Sequence, residues 1–190
     1  PKRAVGTLHS VCFHALGQPA IAEVGRLSKD WNESGIPPAW RIGVPLASLE
    51  DGLSDPDVGS MMAQYGLARS AMLPPNHPTW ALTSSFAKAW EDYKAQTDSS
   101  DFTDLLTRGL DELPSPPGDP RVLMVDEAQD LTPLQWQLVT LWAESVDRYV
   151  VVGDPAQCLY AFTGATPAEL LRPLPPERQA PGNPTWMPRR

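Results

Sequence analysis

Residues 121–136 read RVLMVDEAQDLTPLQW. Four apolar residues, Val122 to Val125, run without a break and end on Asp126-Glu127, with a third carboxylate at Asp130. A short continuous apolar run bounded by turn signals reads as a strand buried in a sheet. The turn signal is PSPPGDP, Pro114 to Pro120, just upstream. Downstream, Asp130 or Thr132 starts a helix. Carboxylates favour helix N-termini, and Thr132 precedes Pro133, whose fixed φ suits the first helical position. Leu134, Leu138, Leu141 and Trp142 form the inner stripe of that helix. RYVVVGD, Arg148 to Asp154, then reads as a second fully buried strand. Strand–helix–strand with continuous apolar runs is the signature of an α/β fold whose parallel sheet is covered on both faces. In such sheets ligands bind beyond the carboxyl ends of the strands. Both strands end in acid there, so a metal ion or phosphate-bound magnesium is the expected neutralising partner.

Adjacent Asp and Glu at a strand end suit nucleotide hydrolysis. Asp126 can hold Mg²⁺, often through water, because that ion wants hard oxygen ligands and keeps its hydration shell. Glu127 can orient and deprotonate an attacking water. The plainer reading is a solvated acidic loop capping the next helix. The apolar approach and the added Gln129 and Asp130 weigh against it. In VVVGDPAQCLYAFTGA, Val150 to Ala165, Gln157 is a neutral group able to read a terminal phosphate. Tyr160 and Phe162 follow, and aromatics beside such a loop suit stacking on single-stranded bases. Their plainer reading is ordinary core.

The chain has 190 residues, room for one sizeable core and a smaller lobe. It does not begin with Met and reads as a piece of a longer protein. The formal net charge of −8 argues against a general basic coat for nucleic acid and leaves room for a local track. Cys12 and Cys158 stand far apart beside apolar residues, which predicts two buried reduced thiols in a cytoplasmic protein. No apolar run approaches the roughly 20 residues of a membrane span. AVGTLHSVCFHAL, Ala4 to Leu16, predicts a strand or turn entering a helix capped by Thr7 or Ser10. From Gln18 to about Pro78 turn signals recur, with a short helix around Gly59 to Met72. TWALTSSFAKAWEDYKAQ predicts a helix with Leu82, Phe86, Trp90 and Tyr93 on one face. DFTDLLTRGLDEL predicts another, with Asp101 and Asp104 as capping acids, and ATPAELL a third. The last residues, 173–190, form an irregular Pro-rich tail.

VDEAQD followed by VGDPAQCLYAFTGA resembles motifs II and III of the superfamily 1 helicases of the UvrD/Rep type. GTLHSVCFHAL resembles that family's Thr-x-His-Ser segment, and YKAQTDSSDFTDLL its segment just upstream of motif II. The four matches fall in the family's order. The resemblance implies a partial RecA-like P-loop NTPase domain, residues 1–19 and 98–172, with a mostly helical inserted subdomain over 20–97. It implies ATP and Mg²⁺ as cofactors and single-stranded and duplex DNA as partners, in work such as DNA repair. By the same resemblance Asp126 is the magnesium carboxylate and Glu127 the catalytic base. Gln157 senses the γ-phosphate, Thr7, His9 and Ser10 lie along the DNA, and Tyr160 and Phe162 stack on bases. His9 also reads as a satisfied loop histidine.

The departures matter as much. A motor of this kind needs Gly-x-x-x-x-Gly-Lys-Thr/Ser to cradle phosphates. No glycine in the chain is followed by lysine. The family places that loop upstream of the Thr-x-His-Ser segment and a second motor domain with arginine fingers downstream of motif III. Thr163 stands where many members carry arginine. The expectation is a helicase fragment with little or no ATPase activity of its own. Two alternatives stay open: a non-catalytic nucleic-acid-binding module derived from a helicase, and a magnesium nuclease using Asp126, Glu127 and Asp154.

Overall fold

Apolar residues at helical spacing sort the chain around two cores, and two apolar strands lie beside one of them. The structure, a computed structural model, describes residues 5–42, 60–158 and 165. Tyr160, Phe162, Thr163, the ATPAELL segment other than Ala165, and the Pro-rich tail lie outside the described residues.

The first core joins α1 (Leu8–Ala15), α5 (Phe102–Glu112) and α6 (Pro133–Ala143). Its centre is Cys12, Leu105, Leu106, Leu134, Leu138 and Trp142, all buried. Thr7 caps α1, its Oγ1 accepting from the Ser10 N–H at 3.2 Å. Thr132 caps α6 in a reciprocal box: the Gln135 N–H donates to Thr132 Oγ1, and the Thr132 N–H donates to Gln135 Oε1 at 2.8 Å. Thr132 therefore starts this helix and Asp130 does not. The buried face of α6 is wider than the inner stripe read from sequence, since Trp136, Val139 and Ala143 are buried too. Gly109 lets α5 approach α1 closely. A Cβ there would stand 2.8 Å from Cys12 Sγ and 3.5 Å from a Leu138 methyl. Alanine normally gains about 1 kcal/mol over glycine inside a helix. Overpacking costs about 1–3 kcal/mol. Gly109→Ala is therefore expected to lower the melting temperature, and Gly109→Ala with Cys12→Ala to recover it. A Gly109→Ala protein that melts higher than the parent would show that α1 shifts freely.

The strands β3 (Val122–Val125) and β4 (Arg148–Val151) pair in parallel, Val122 opposite Arg148 and Val125 opposite Val151, with α6 as the connection between them. The expectation of full burial fails. Along each strand the residues alternate, and Val122, Met124, Val150 and Val152 are exposed, Met124 by 70%. Leu123 packs on the first core. Among the described residues nothing covers the opposite face of this two-stranded pair, so the other half of each apolar run stays in solvent.

The second core is aromatic. It gathers Ala22, Trp31 of α2 (Gly25–Glu33), Ile42, Tyr65 of α3 (Ser60–Ser70), and Phe86 and Trp90 of α4 (Pro78–Thr97). Trp31 meets Trp90 edge-on with ring centroids 5.0 Å apart, a geometry worth about 0.5–1.5 kcal/mol beyond area. Leu82 is 60% exposed, and Thr83 takes its place inside. At about 100° per residue, Thr83, Phe86, Trp90 and Lys94 cluster on one line, whereas Leu82 swings about 80° away from Trp90. Tyr93 sits at the edge and donates its hydroxyl to the Leu27 carbonyl at 2.7 Å.

A short parallel pair, β1 (Ala20–Ile21) with β2 (Ser99–Ser100), and a buried ion cluster link the two cores. Asp101 is fully buried. It accepts from Arg69 Nη1 at 2.7 Å, Lys94 Nζ at 2.9 Å and Trp90 Nε1 at 3.0 Å. Asp104 binds Arg69 as well, and Lys94 at 2.6 Å. The same two acids form the capping box of α5, as the sequence suggested, but the cations from α3 and α4 were not anticipated. Beside them the Glu23 carboxylate accepts the Phe102 N–H at 2.6 Å. Burial, and then the charges of Asp101 and Asp104, push Glu23 up to about 7 from 4.5, against that hydrogen bond and Lys94. A folded value above the unfolded one means the contribution is whole below about pH 4.5 and is lost as pH rises through about 7. Glu23→Gln should flatten the pH dependence of the denaturation midpoint across that window. An unchanged slope would show Glu23 to be well solvated.

Cys12 is buried, and burial pushes its thiol up to about 11, so it is inert packing. Cys158 is only half-buried, which corrects the expectation of two buried thiols. No helix among the described residues is long and apolar enough to cross a membrane.

Candidate active site

The site lies at the carboxyl end of the β3–β4 pair. The ladder continues past the strands: the Val152 N–H donates to the Val125 carbonyl at 2.8 Å, and the Ala128 N–H to the Val152 carbonyl at 3.0 Å. These bonds bring Asp126-Glu127 and Gly153-Asp154 to the same edge. Glu127 adopts a left-handed backbone, φ 51°, an uncommon conformation for a residue with a Cβ. Such outliers cost about 1–3 kcal/mol and persist only where surrounding bonds enforce them. Here the turn Ala128–Asp130 follows at once, and the Glu127 N–H donates back to Asp126 Oδ1 at 3.0 Å. The strained turn lifts both carboxylates out of the sheet edge, and both are exposed.

Gln129 sits directly behind them, 1% exposed. Its Nε2 donates to Glu127 Oε2 at 2.7 Å, and its Oε1 accepts from the Asp154 N–H at 3.0 Å. Asp154 starts a second turn, Pro155–Gln157. Its Oδ1 accepts from the Ala156 N–H at 3.0 Å, and its Oδ2 from Gln157 Nε2 at 2.7 Å. Gln157 is exposed on that turn. The structure thus brings Asp126, Glu127 and Gln157 to one edge, as the sequence placed them.

Magnesium fits the donor set. Among the described residues Asp126, Glu127 and Asp154 form no ion pair with any Lys or Arg, so their hard oxygens face no competing cation. Asp130 Oδ1, on the same turn, is buried with no hydrogen-bond partner, a lone pair that a cation or its bound water would satisfy. Glu91, Asp101 and Asp104 also bring carboxylate oxygens within 4.8 Å of one another. That group is already neutralised by Lys94 and Arg69 and is structural.

Thr7, His9 and Ser10 belong to a different place, the capped N-terminus of α1. Thr7 and Ser10 are exposed. His9 is half-buried with its ring edge-on to Phe102 at 6.1 Å, and burial lowers its pKa. Sequence reasoning gave no role to the Gln129 bridge. Its signal was weak, an amide two residues after a carboxylate. Lys94 was missed too, although its signal was stronger: a cation on the apolar stripe of α4 demands a buried acid.

A sequence model of the UvrD/REP helicase N-terminal domain matches residues 60–174. The ATP-dependent DNA helicase UvrD2 of Mycobacterium tuberculosis (strain ATCC 25618 / H37Rv) is 49% identical over 51 residues, 27% of this chain and 7% of that protein. The RecBCD enzyme subunit RecB of Mycolicibacterium smegmatis is 39% identical over 79 residues, 37% of this chain and 7% of the relative. The ATP-dependent DNA helicase Rep of Escherichia coli (strain K12) is 45% identical over 51 residues, 27% of this chain and 8% of Rep. The matches therefore span less than a tenth of each relative.

Proposed function

The chain belongs to the UvrD/REP helicase N-terminal domain family, and on that premise we propose that it is the later part of the first motor domain of an ATP-dependent DNA helicase, working in the cytoplasm. In this reading residues 1–19 and 98–172 are part of a RecA-like domain and 20–97 its helical insertion, with an irregular tail over 173–190. The aromatic core built from α2, α3 and α4 supports the insertion. The open apolar face of β3 and β4 supports a sheet whose second face is covered by other elements of the whole protein.

One observation carries the proposal. A parallel pair delivers Asp126-Glu127 and the Asp154–Gln157 turn to one edge, and among the described residues the carboxylates have no cationic partner. Magnesium-bound ATP, when held there, would supply the γ-phosphorus for attack by water, with ADP as the leaving group. Asp126 would hold the ion, directly or through its bound water. Glu127, lifted by its left-handed backbone, orients a water and takes its proton. Gln157 exchanges its bond to Asp154 for one to the terminal phosphate and so reports its presence. Thr7, His9, Ser10, Tyr160 and Phe162 line the path of single-stranded DNA, the aromatic pair by stacking.

The 190 residues alone hold the acids without the Gly-Lys phosphate loop. Much of the charge stabilisation of phosphoryl transfer comes from that loop and from arginine fingers. The full-length protein is expected to hydrolyse ATP in the presence of single-stranded DNA, and the 190-residue chain to give no turnover above buffer. A full-length protein that binds DNA yet never turns over ATP would favour the non-catalytic module. No observation favours a nuclease.

A further inference from the structure

We propose that Gln129 is a positioning residue that sets the Glu127 carboxylate and ties it to the loop carrying Gln157. The inference rests on the reading of Glu127 as the base. A base on an exposed turn loses efficiency if its carboxylate samples several rotamers, since proton transfer needs it aligned with the water. Gln129 removes that freedom from behind. It is only 1% exposed, and its amide gives one end to each partner. The Asp154 N–H can only donate, so the oxygen of Gln129 must face it and the NH₂ must face Glu127. The same NH₂ stands 3.5 Å from Asp130 Oδ2, which further fixes the amide's orientation. From Asp154 the bonding passes to Gln157 through Asp154 Oδ2. A continuous set of hydrogen bonds therefore runs from Glu127 through Gln129 and Asp154 to Gln157. The two ends come from turns after different strands, and the only side chain spanning them among the described residues is Gln129. A change in what Gln157 binds then moves Asp154 and, through Gln129, the orientation of Glu127.

Glutamate at this position keeps an acceptor for the Asp154 N–H and loses the donor to Glu127. Methionine loses both. The test uses the full-length protein with Q129M, Q129E and the reference variant E127Q, reading kcat, KM for ATP, and hydrogen exchange over residues 152–157. Both Gln129 variants are expected to lose about 10- to 100-fold in kcat with KM changed less than about threefold. Neither should lose more when combined with E127Q, because Gln129 acts through Glu127. Exchange at Asp154 should accelerate in Q129M and stay near parental in Q129E. Parental kcat in a variant that melts like the parent overturns the proposal, as do losses that multiply with those of E127Q. If neither variant folds, Gln129 is a structural residue and the proposal also falls. Retained turnover in E127Q itself instead overturns the reading of Glu127 as base, while hydrogen exchange still reports whether Gln129 holds the Asp154 turn.

Discussion

Replacing Glu127 by glutamine in the full-length protein is expected to lower kcat by about 10²- to 10⁴-fold, the usual share of general base catalysis, and to leave ATP binding nearly unchanged. The range corresponds to about 3–5 kcal/mol of transition-state stabilisation. Glutamine is the informative substitution because the local geometry survives it. The Gln129 NH₂ that donates to Glu127 Oε2 can donate equally to the amide oxygen of the variant. The left-handed backbone at 127 is as costly for glutamine as for glutamate, so the turn gains no new strain. What disappears is the capacity to accept a proton. Equilibrium binding of a fluorescent ATP analogue and steady-state turnover on single-stranded DNA separate the two effects. Turnover within threefold of the parent would mean that another group takes the proton and that Glu127 is a solvated acid. A loss of nucleotide binding as large as the loss of turnover would mean that Glu127 holds the ion instead.

The placement of the candidate site was legible because its signals are local. An apolar run, a paired carboxylate and a second run ending in Gly-Asp sit on adjacent strands, and parallel pairing must bring their ends together. The caps were legible for the same reason, since Thr7, Thr132 and the Asp101–Asp104 box act within three residues of themselves. Burial was less so. A run such as Val122–Val125 is compatible with a sheet covered on two faces or on one, and composition alone cannot tell which elements will cover it. Leu82 was misplaced because leucine was preferred over threonine on a face that the helix axis assigns to Thr83, whose hydroxyl is satisfied by the Thr79 carbonyl at 2.8 Å. The Gln129 bridge joins residues 25 apart in sequence, and nothing in either turn announces the other.

The second large effect concerns stability. Asp101→Ala is expected to cost about 3–5 kcal/mol, the range for breaking a buried ion pair from one side. Asp101 accepts from Arg69, Lys94 and Trp90 and lies fully buried. Burial alone would raise its carboxyl, and Arg69 and then Lys94 overcome this and hold it below the usual carboxylate range. A lowered value means that the stability it contributes is present above the unfolded pKa and is lost as pH falls through the folded one. Removing the carboxylate leaves two cations, on α3 and α4, paired with Asp104 and the more exposed Glu91. It also strips α5 of its N-cap, worth about 1 kcal/mol, and orphans the Trp90 indole N–H in the aromatic core. Because these ligands come from different helices, the loss should also uncouple the two cores. Chemical denaturation of the full-length protein is expected to show the midpoint falling and, in the variant, protease cleavage appearing first within residues 20–97. Asp101→Asn loses the charge and keeps one acceptor oxygen, enough for either the cap or the indole but not both, so it should fall between the parent and alanine. If asparagine matched the parent, hydrogen bonding and not the ion pairs would hold the cores together. If alanine did, the cluster would be no more than a solvated face.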